Sequence, residues 1–208
     1  MKKIAAALLL SATISAPAVA ASQGGYVLVE PGFAGLGKPM SQLGTATFLS
    51  PVSITLGGGY RFSQLIGVEA GYLASGDSTI KSTGGSAEAT EKLKASTLQV
   101  ALVGTFPIGS KFDVIAKLGA ANTKVDYTAT ITGGSFAPTV VTSASGSKTN
   151  LMYGLGGQYN INPHFAVRVH YQDFGKVKLG VGANDWTTPG ASQDIGVKAF
   201  SVGMLYSF

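Results

Sequence analysis

Large apolar residues fall on every second position in eight separate stretches of this chain. Outside the N-terminus, no run of apolar residues approaches the 18 needed for a spanning helix. The last stretch sets the pattern. Phe200, Val202, Met204, Tyr206 and Phe208 alternate with Ala199, Ser201, Gly203, Leu205 and Ser207. A period of two with one large apolar face is the mark of a β-strand that is greasy on one side. The alternation recurs at 165–171, 151–159, 112–118, 98–106, 66–72 and 52–62. An eighth stretch near 26–34 is less regular, and its Pro31 suits a strand only at an edge or a bulge.

The connections alternate in length. Ser63-Gln64, Ile108-Gly109-Ser110 and Asn160 to Pro163 are tight turns, whereas about 35–50, 75–93, 130–147 and 178–195 read as long loops rich in Gly, Ser, Thr and Ala. Short turns at one end and long loops at the other describe an up-and-down meander. Composition then decides which face is inside. Only 12% of the residues are charged, about half the usual share, and 29 are glycine. Opposite the large apolar face lie Gly, Ser, Thr and Ala with isolated charges, Glu69, Lys117 and Arg168, one to a strand. Small residues and a few charges suit the filled interior of an eight-stranded barrel, so the apolar face meets lipid. Closure removes the unpaired strand edges that hydrocarbon does not tolerate. Aromatics gather at strand ends. Tyr60, Phe62, Phe106, Phe112, Tyr159, Phe165, Tyr206 and Phe208 lie toward the short turns, and Phe33, Tyr72, Tyr153, Tyr171 and Phe200 toward the long loops. Two girdles about an apolar band are expected of a membrane barrel. The fold expected is therefore all-β, an eight-stranded antiparallel up-and-down transmembrane β-barrel.

The N-terminus is read apart from that fold. Met1-Lys2-Lys3 is basic, residues 4–14 are apolar, Pro17 breaks any helix, and Ala18-Val19-Ala20 puts small residues where a signal peptidase cuts. Residues 1–20 are expected to be a cleaved signal peptide, with Ala18 and Ala20 at the cleavage site, and 21–208 the barrel domain. Removing Lys2 and Lys3 takes the formal charge from +5 to +3. With no cluster of Lys and Arg, that balance does not point to nucleic acid. The chain has no cysteine and no metal-ligand spacing, and no cofactor is expected.

The last eight residues, Ser201 to Phe208, resemble the C-terminal signal of bacterial outer-membrane proteins, matching its four defined positions at Ser201, Gly203, Tyr206 and Phe208. The wider chain is similar to the small OmpA/OmpX-type barrel family, through Ile66-Gly67-Val68-Glu69-Ala70-Gly71-Tyr72, Gln158-Tyr159-Asn160-Ile161-Asn162-Pro163 and Val167-Arg168-Val169-His170-Tyr171-Gln172. The resemblance implies the outer membrane of a Gram-negative-type cell, surrounded by lipid and lipopolysaccharide. It also implies handling by periplasmic chaperones and the barrel-assembly machinery, and a host or surface ligand at the long loops. Glu69 and Arg168 resemble the interacting interior Glu and Arg of that family. A buried charge without a partner costs several kcal/mol, so a lumen network of Glu69, Lys117 and Arg168 is expected, with Glu30 and Gln99 as further partners.

His164 and His170 raise an enzyme reading, since some eight-stranded outer-membrane barrels modify lipid A with His, Ser and an acid. Neither histidine adjoins a serine motif in sequence, so no catalytic site is expected. Gly57-Gly58-Gly59 lies within a strand and reads as relief of crowding or room to bend, and Trp186 as an anchor for the last long loop or a contact for a ligand. The leading expectation is a structural or surface-interaction protein with a plugged polar lumen. A narrow low-conductance channel and a lipid A-modifying enzyme are the alternatives.

Overall fold

A computed structural model describes residues 23–36, 46–48, 51–84, 87–133, 140–180 and 192–208. Residues 1–20 and Trp186 lie outside them. The elements, all strands, are β1 (Gly24–Leu36), β2 (Ala46–Phe48), β3 (Val52–Arg61), β4 (Ile66–Ser75), β5 (Ser78–Gly84), β6 (Ala87–Ile108), β7 (Phe112–Gly133), β8 (Val140–Asn160), β9 (Phe165–Gly180) and β10 (Ser192–Ser207). Eight of them close a ring of antiparallel pairings in the order β1, β3, β4, β6, β7, β8, β9, β10 and back to β1. The expected barrel is what forms. Both the start of β1 and the end of β10 lie at the short-turn rim, where the Phe208 amide donates to the Gly25 carbonyl at 3.0 Å.

Pro31 sits inside this ring. The β1–β10 ladder runs from Tyr26↔Ser207 to Val29↔Met204 and resumes at Gly32↔Ser201. Pro31 has no N–H to give, and the ladder lapses beside it with its register unchanged, so the proline sits within a closed ring at neither the edge nor the bulge expected for it.

Two of the four expected loops are largely strand. β5 and the first residues of β6 pair from Ser78↔Leu93 to Gly84↔Ala87, and β2 adds to β5 through Thr47↔Lys81. β7 and β8 stay paired from Phe112↔Tyr159 out to Ile131↔Val140. The 22 residues of β6 or β7 exceed the 9–11 or so that a membrane strand needs, so the wall continues well past the bilayer.

The hydropathy of the two faces exchanges along the way. On the lower part of β6, Leu98, Val100, Leu102 and Phe106 point outward and are exposed; further up, the exposed outward residues are Lys94 and Lys92, and Leu93 and Ala95 are buried inward. The same exchange occurs on β7 between Leu118 and Asn122, on β8 between Leu151 and Thr149, and on β10 between Phe200 and Lys198. Below this line the outside is greasy and the inside polar. Above it the outside is polar and an apolar core fills the inside: Leu73, Leu93, Val125, Met152, Phe174, Val177, Leu179, Ile195 and Val197 are all buried there. The expectation of small residues and charges along the whole interior therefore holds only for the short-turn half. Strands that have left hydrocarbon face water outside, so their apolar residues turn inward.

β9 carries the irregularity that lets it follow this exchange. Its pairing with β10 shifts register between Lys198↔Asp173 and Gly196↔Lys176, putting Phe174 and Gly175 opposite Val197. Gly175 has φ of 78°, the left-handed value that such bulges place on glycine. The extra residue resets parity, so Phe174 and then Val177 and Leu179 all point inward.

Candidate functional site

The short-turn half of the lumen holds most of the buried charges, and inward parity brings them together from five strands. Glu69 of β4 is the hub. Its Oε1 accepts from the Lys117 ammonium of β7, and its Oε2 accepts from Arg168 Nη1 of β9 at 2.7 Å and from the Tyr26 hydroxyl of β1 at 2.9 Å. Arg168 is 1% exposed and turns its Nε and Nη2 onto Gln158 Oε1 at 3.2 and 3.0 Å. Tyr26 lies flat enough to face two guanidinium groups, Arg61 at 5.0 Å and Arg168 at 5.8 Å from the ring centre. Its ring takes the space above Gly59, where a Cβ would collide with it. That gives one residue of the 57–59 glycine run a specific reason.

Beneath the hub is a floor of polar groups. Asn160 Nδ2 donates to Asp113 Oδ2 at 2.7 Å and Gln158 Nε2 donates to Asn160 Oδ1 at 2.7 Å, with Arg61 Nη2 3.5 Å from Gln158 Oε1. Above the hub, Gln172 Nε2 donates to Gln99 Oε1 at 3.0 Å. Gln99 thus pairs with a glutamine across the lumen. Among the described residues the short-turn half of the lumen holds Arg61, Lys117 and Arg168 against Glu30, Glu69 and Asp113, three of each sign, while Glu91 of β6 is buried in the upper half.

Glu30 departs from the expected pattern. It is 1% exposed, and neither carboxylate oxygen has a hydrogen-bond donor. Its neighbour is His170, whose Nδ1 is 3.4 Å from Glu30 Oε1 and 3.4 Å from Ser201 Oγ. The Lys117 ammonium lies 3.4 Å from His170 Nε2. An ammonium can only donate, so in the neutral ring Nε2 accepts and the proton sits on Nδ1. The sequence reading set no serine beside His170; cross-strand pairing of His170 with Ser201 puts one there. The arrangement is still unlike a nucleophilic relay. Serine and acid approach the same ring nitrogen, whereas a relay needs them on opposite ones.

The other sequence candidates are placed as follows. Ser201 and Gly203 point into the lumen, and Gly203 leaves the space that the Glu30 side chain fills, since a Cβ there would collide with Glu30 Cγ. Tyr206 and Phe208 point outward, in edge contact at 5.4 Å, with Phe165 5.0 Å from Tyr206. His164 is a turn residue. Its amide donates to Asn162 Oδ1 at 2.9 Å, and its Nδ1 lies 2.9 Å from the Ser207 carbonyl, tying the 161–164 turn to the C-terminal strand. Tyr26, Arg61, Asp113, Gln158, Asn160, His170 and Gln172 were not singled out for the lumen network. Tyr26, Asp113, His170 and Gln172 share the alternate positions of Glu30, Lys117 and Arg168 on their own strands, and Arg61, Gln158 and Asn160 lie on the inward face of β3 and β8, so parity alone carried the signal.

A family model described as outer membrane protein beta-barrel domain matches residues 4–208. No curated protein matches the chain. Among solved structures, the attachment invasion locus protein Ail of Yersinia pestis superposes with a TM-score of 0.51 at 18% identity, covering 90% of this chain and 100% of that one. Ail is also solved with the heparin analogue sucrose octasulfate. Neisserial surface protein A gives 0.51 at 16% identity, covering 89% and 97%, and OprG from Pseudomonas aeruginosa gives 0.50 at 17%, also covering 89% and 97%. These likenesses speak to the fold.

Proposed function

The chain belongs to the outer membrane protein beta-barrel domain family and resides in the outer membrane, and from that premise we propose that it is a structural and surface-interaction protein rather than an enzyme or an open pore. The observation that carries this reading is the filled interior. In the short-turn half the charges are matched in number, Lys117 and Arg168 are bonded to Glu69, and an apolar layer of Leu73, Met152, Phe174 and Val197 lies above them. An ion crossing the barrel would have to displace the first set and then enter the second without hydration. What is left to act is the extracellular end, where β5 to β8 rise beyond the membrane. We further read residues 1–20 as a signal peptide removed on export, Ser201, Gly203, Tyr206 and Phe208 as the signal for chaperones and the assembly machinery, and lipopolysaccharide as the surrounding lipid.

The test is conductance across a planar bilayer. The reading expects no discrete steps above background; sustained steps from the unmodified protein overturn it. A narrow channel is favoured by one observation, the unbroken polar string from Asp113 through Gln158, Arg168 and Glu69 to Lys117. If that string is a gate, Arg168→Ala opens measurable steps. If the apolar layer also blocks the path, Arg168→Ala stays silent and the gate is excluded. Lipid A recovered unchanged from cells with and without the protein would separate both readings from an enzyme.

A further inference from the structure

Beyond the line where the faces exchange, exposed lysines occupy one half of the wall. Lys92 and Lys94 stand outward on β6, Lys124 on β7, Lys176 and Lys178 on β9 and Lys198 on β10. β8, between them, presents Ser145, Ser147 and Thr149 outward, and its Lys148, of the opposite parity, is exposed as well. On the other half, the described outward positions past the line are Gly35 on β1, Ala74 and Gly76 at the end of β4, and Thr79 and Lys81 on β5, and that one lysine is engaged by Glu88 at 3.8 Å. The outward acids of the lysine-bearing half are Glu88, Asp126, Asp173 and Asp194, four against six, and Glu91 of β6 is buried inward. Asp126 is engaged by Lys124 at 3.1 Å, and Asp173 by Lys198 at 3.6 Å, the Tyr153 hydroxyl at 3.2 Å and the Gly175 amide at 2.8 Å. Lys92, Lys94, Lys176 and Lys178 form no ion pair among the described residues.

The level of these lysines identifies their partner. Lys198 is two residues beyond the exposed Phe200 and Lys94 four beyond the exposed Leu98, about 7 and 13 Å along a strand. That is headgroup depth, just above the rings of Tyr153, Tyr171 and Phe200, which mark the interface. The side chains point sideways, away from the barrel axis, toward neighbouring lipids. A soluble partner descending from outside would meet the strand ends first. We propose that β6, β7, β9 and β10 form a half-collar that binds the phosphates of anionic lipids in the outer leaflet, and that the opposite half of the barrel does not. The barrel thereby holds a preferred rotational setting among its lipids. This rests on the outer-membrane location and is independent of any loop ligand.

The test uses the whole barrel in nanodiscs of phosphatidylcholine doped with lipid A that is either phosphorylated or dephosphorylated. Native mass spectrometry counts the lipid A retained. The wild type retains the phosphorylated form with about tenfold preference, and the preference shrinks as ionic strength rises from about 0.05 to about 0.5 M. The variant K94Q/K176Q/K178Q loses it to within about twofold, whereas K111Q, on the opposite rim, keeps it. Folded barrels are separated first by their migration on unheated gels; the salt series on the wild type needs no variant to fold. A wild type without preference, a preference indifferent to salt, or a triple variant that retains the preference each overturns the proposal. So does a triple variant that loses only sucrose octasulfate binding in detergent, because the surface would then serve a soluble polyanion.

Discussion

Glu69 holds two cations and a phenol and is itself only 4% exposed. Replacing it by alanine leaves Lys117 and Arg168 buried at 4% and 1% exposure with no acid between them. Removing one partner of a buried ion pair costs about 3–5 kcal/mol, because the remaining charge is uncompensated. Glu69→Ala should therefore lower the unfolding free energy in lipid by about that amount, whereas Lys111→Ala, at an exposed turn, should change it by less than about 0.5 kcal/mol. Urea titration followed by tryptophan and tyrosine fluorescence measures both. Equal effects would mean that the Lys117 and Arg168 charges are solvated by some other route. At this scale the sequence was informative about which side chains share the lumen, because parity fixes a side chain's face. It could not say which of them touch. Gln99 was expected among the charges and bonds Gln172, and Glu30 was expected in the same network and faces His170. Contacts across a barrel depend on strand stagger, which no single strand records.

The bulge in β9 is the element on which the upper wall turns. The β8–β9 ladder stops at Tyr153↔Asp173, and beyond it the side chain of Asn150 takes over, its Nδ2 donating to the carbonyls of Phe174 at 3.2 Å and Lys176 at 3.0 Å. One amide thus substitutes for the missing backbone bonds on either side of Gly175. Asn150→Ala removes both, at a cost of about 1–3 kcal/mol confined to this seam. Hydrogen exchange should quicken at the amides of residues 174–178 and stay slow at residues 166–172, which keep their ladder to β8. Uniform exchange along β9 would show that the seam is held by something other than Asn150. The bulge also explains why the sequence was harder to read here. An alternation that slips by one residue at Phe174-Gly175 looks like the end of a strand, and the Ser, Thr and Lys content of residues 75–93 and 130–147 looks like loop. Most of their described residues are strand, because threonine and alternating small residues serve a wall with water on its outer face as well as leucine serves one in lipid.

For the whole molecule, the exchange of faces divides one continuous barrel between two solvents. The lipid-embedded part hides polar groups inside and shows apolar ones, and the part above does the reverse. The same kind of substitution should therefore have opposite consequences a few residues apart on one strand. Leu102 on β6 is 62% exposed in the middle of the apolar band. Arginine there faces hydrocarbon and should cost about 2–4 kcal/mol. Lys94, eight positions up the same outward face, is already past the boundary, so Lys94→Leu gains nothing from lipid and should shift stability by no more than about 0.5 kcal/mol. Leu93, its inward neighbour, is 4% exposed among the apolar residues of the upper core. Leu93→Arg buries an unpaired charge and should cost as much as, or more than, the change at Leu102, although it lies outside the membrane. Unfolding in liposomes of matched thickness ranks the three. If Lys94→Leu stabilises the barrel while Leu93→Arg is harmless, the upper wall is immersed in lipid with an open interior, and the boundary belongs higher than Lys94.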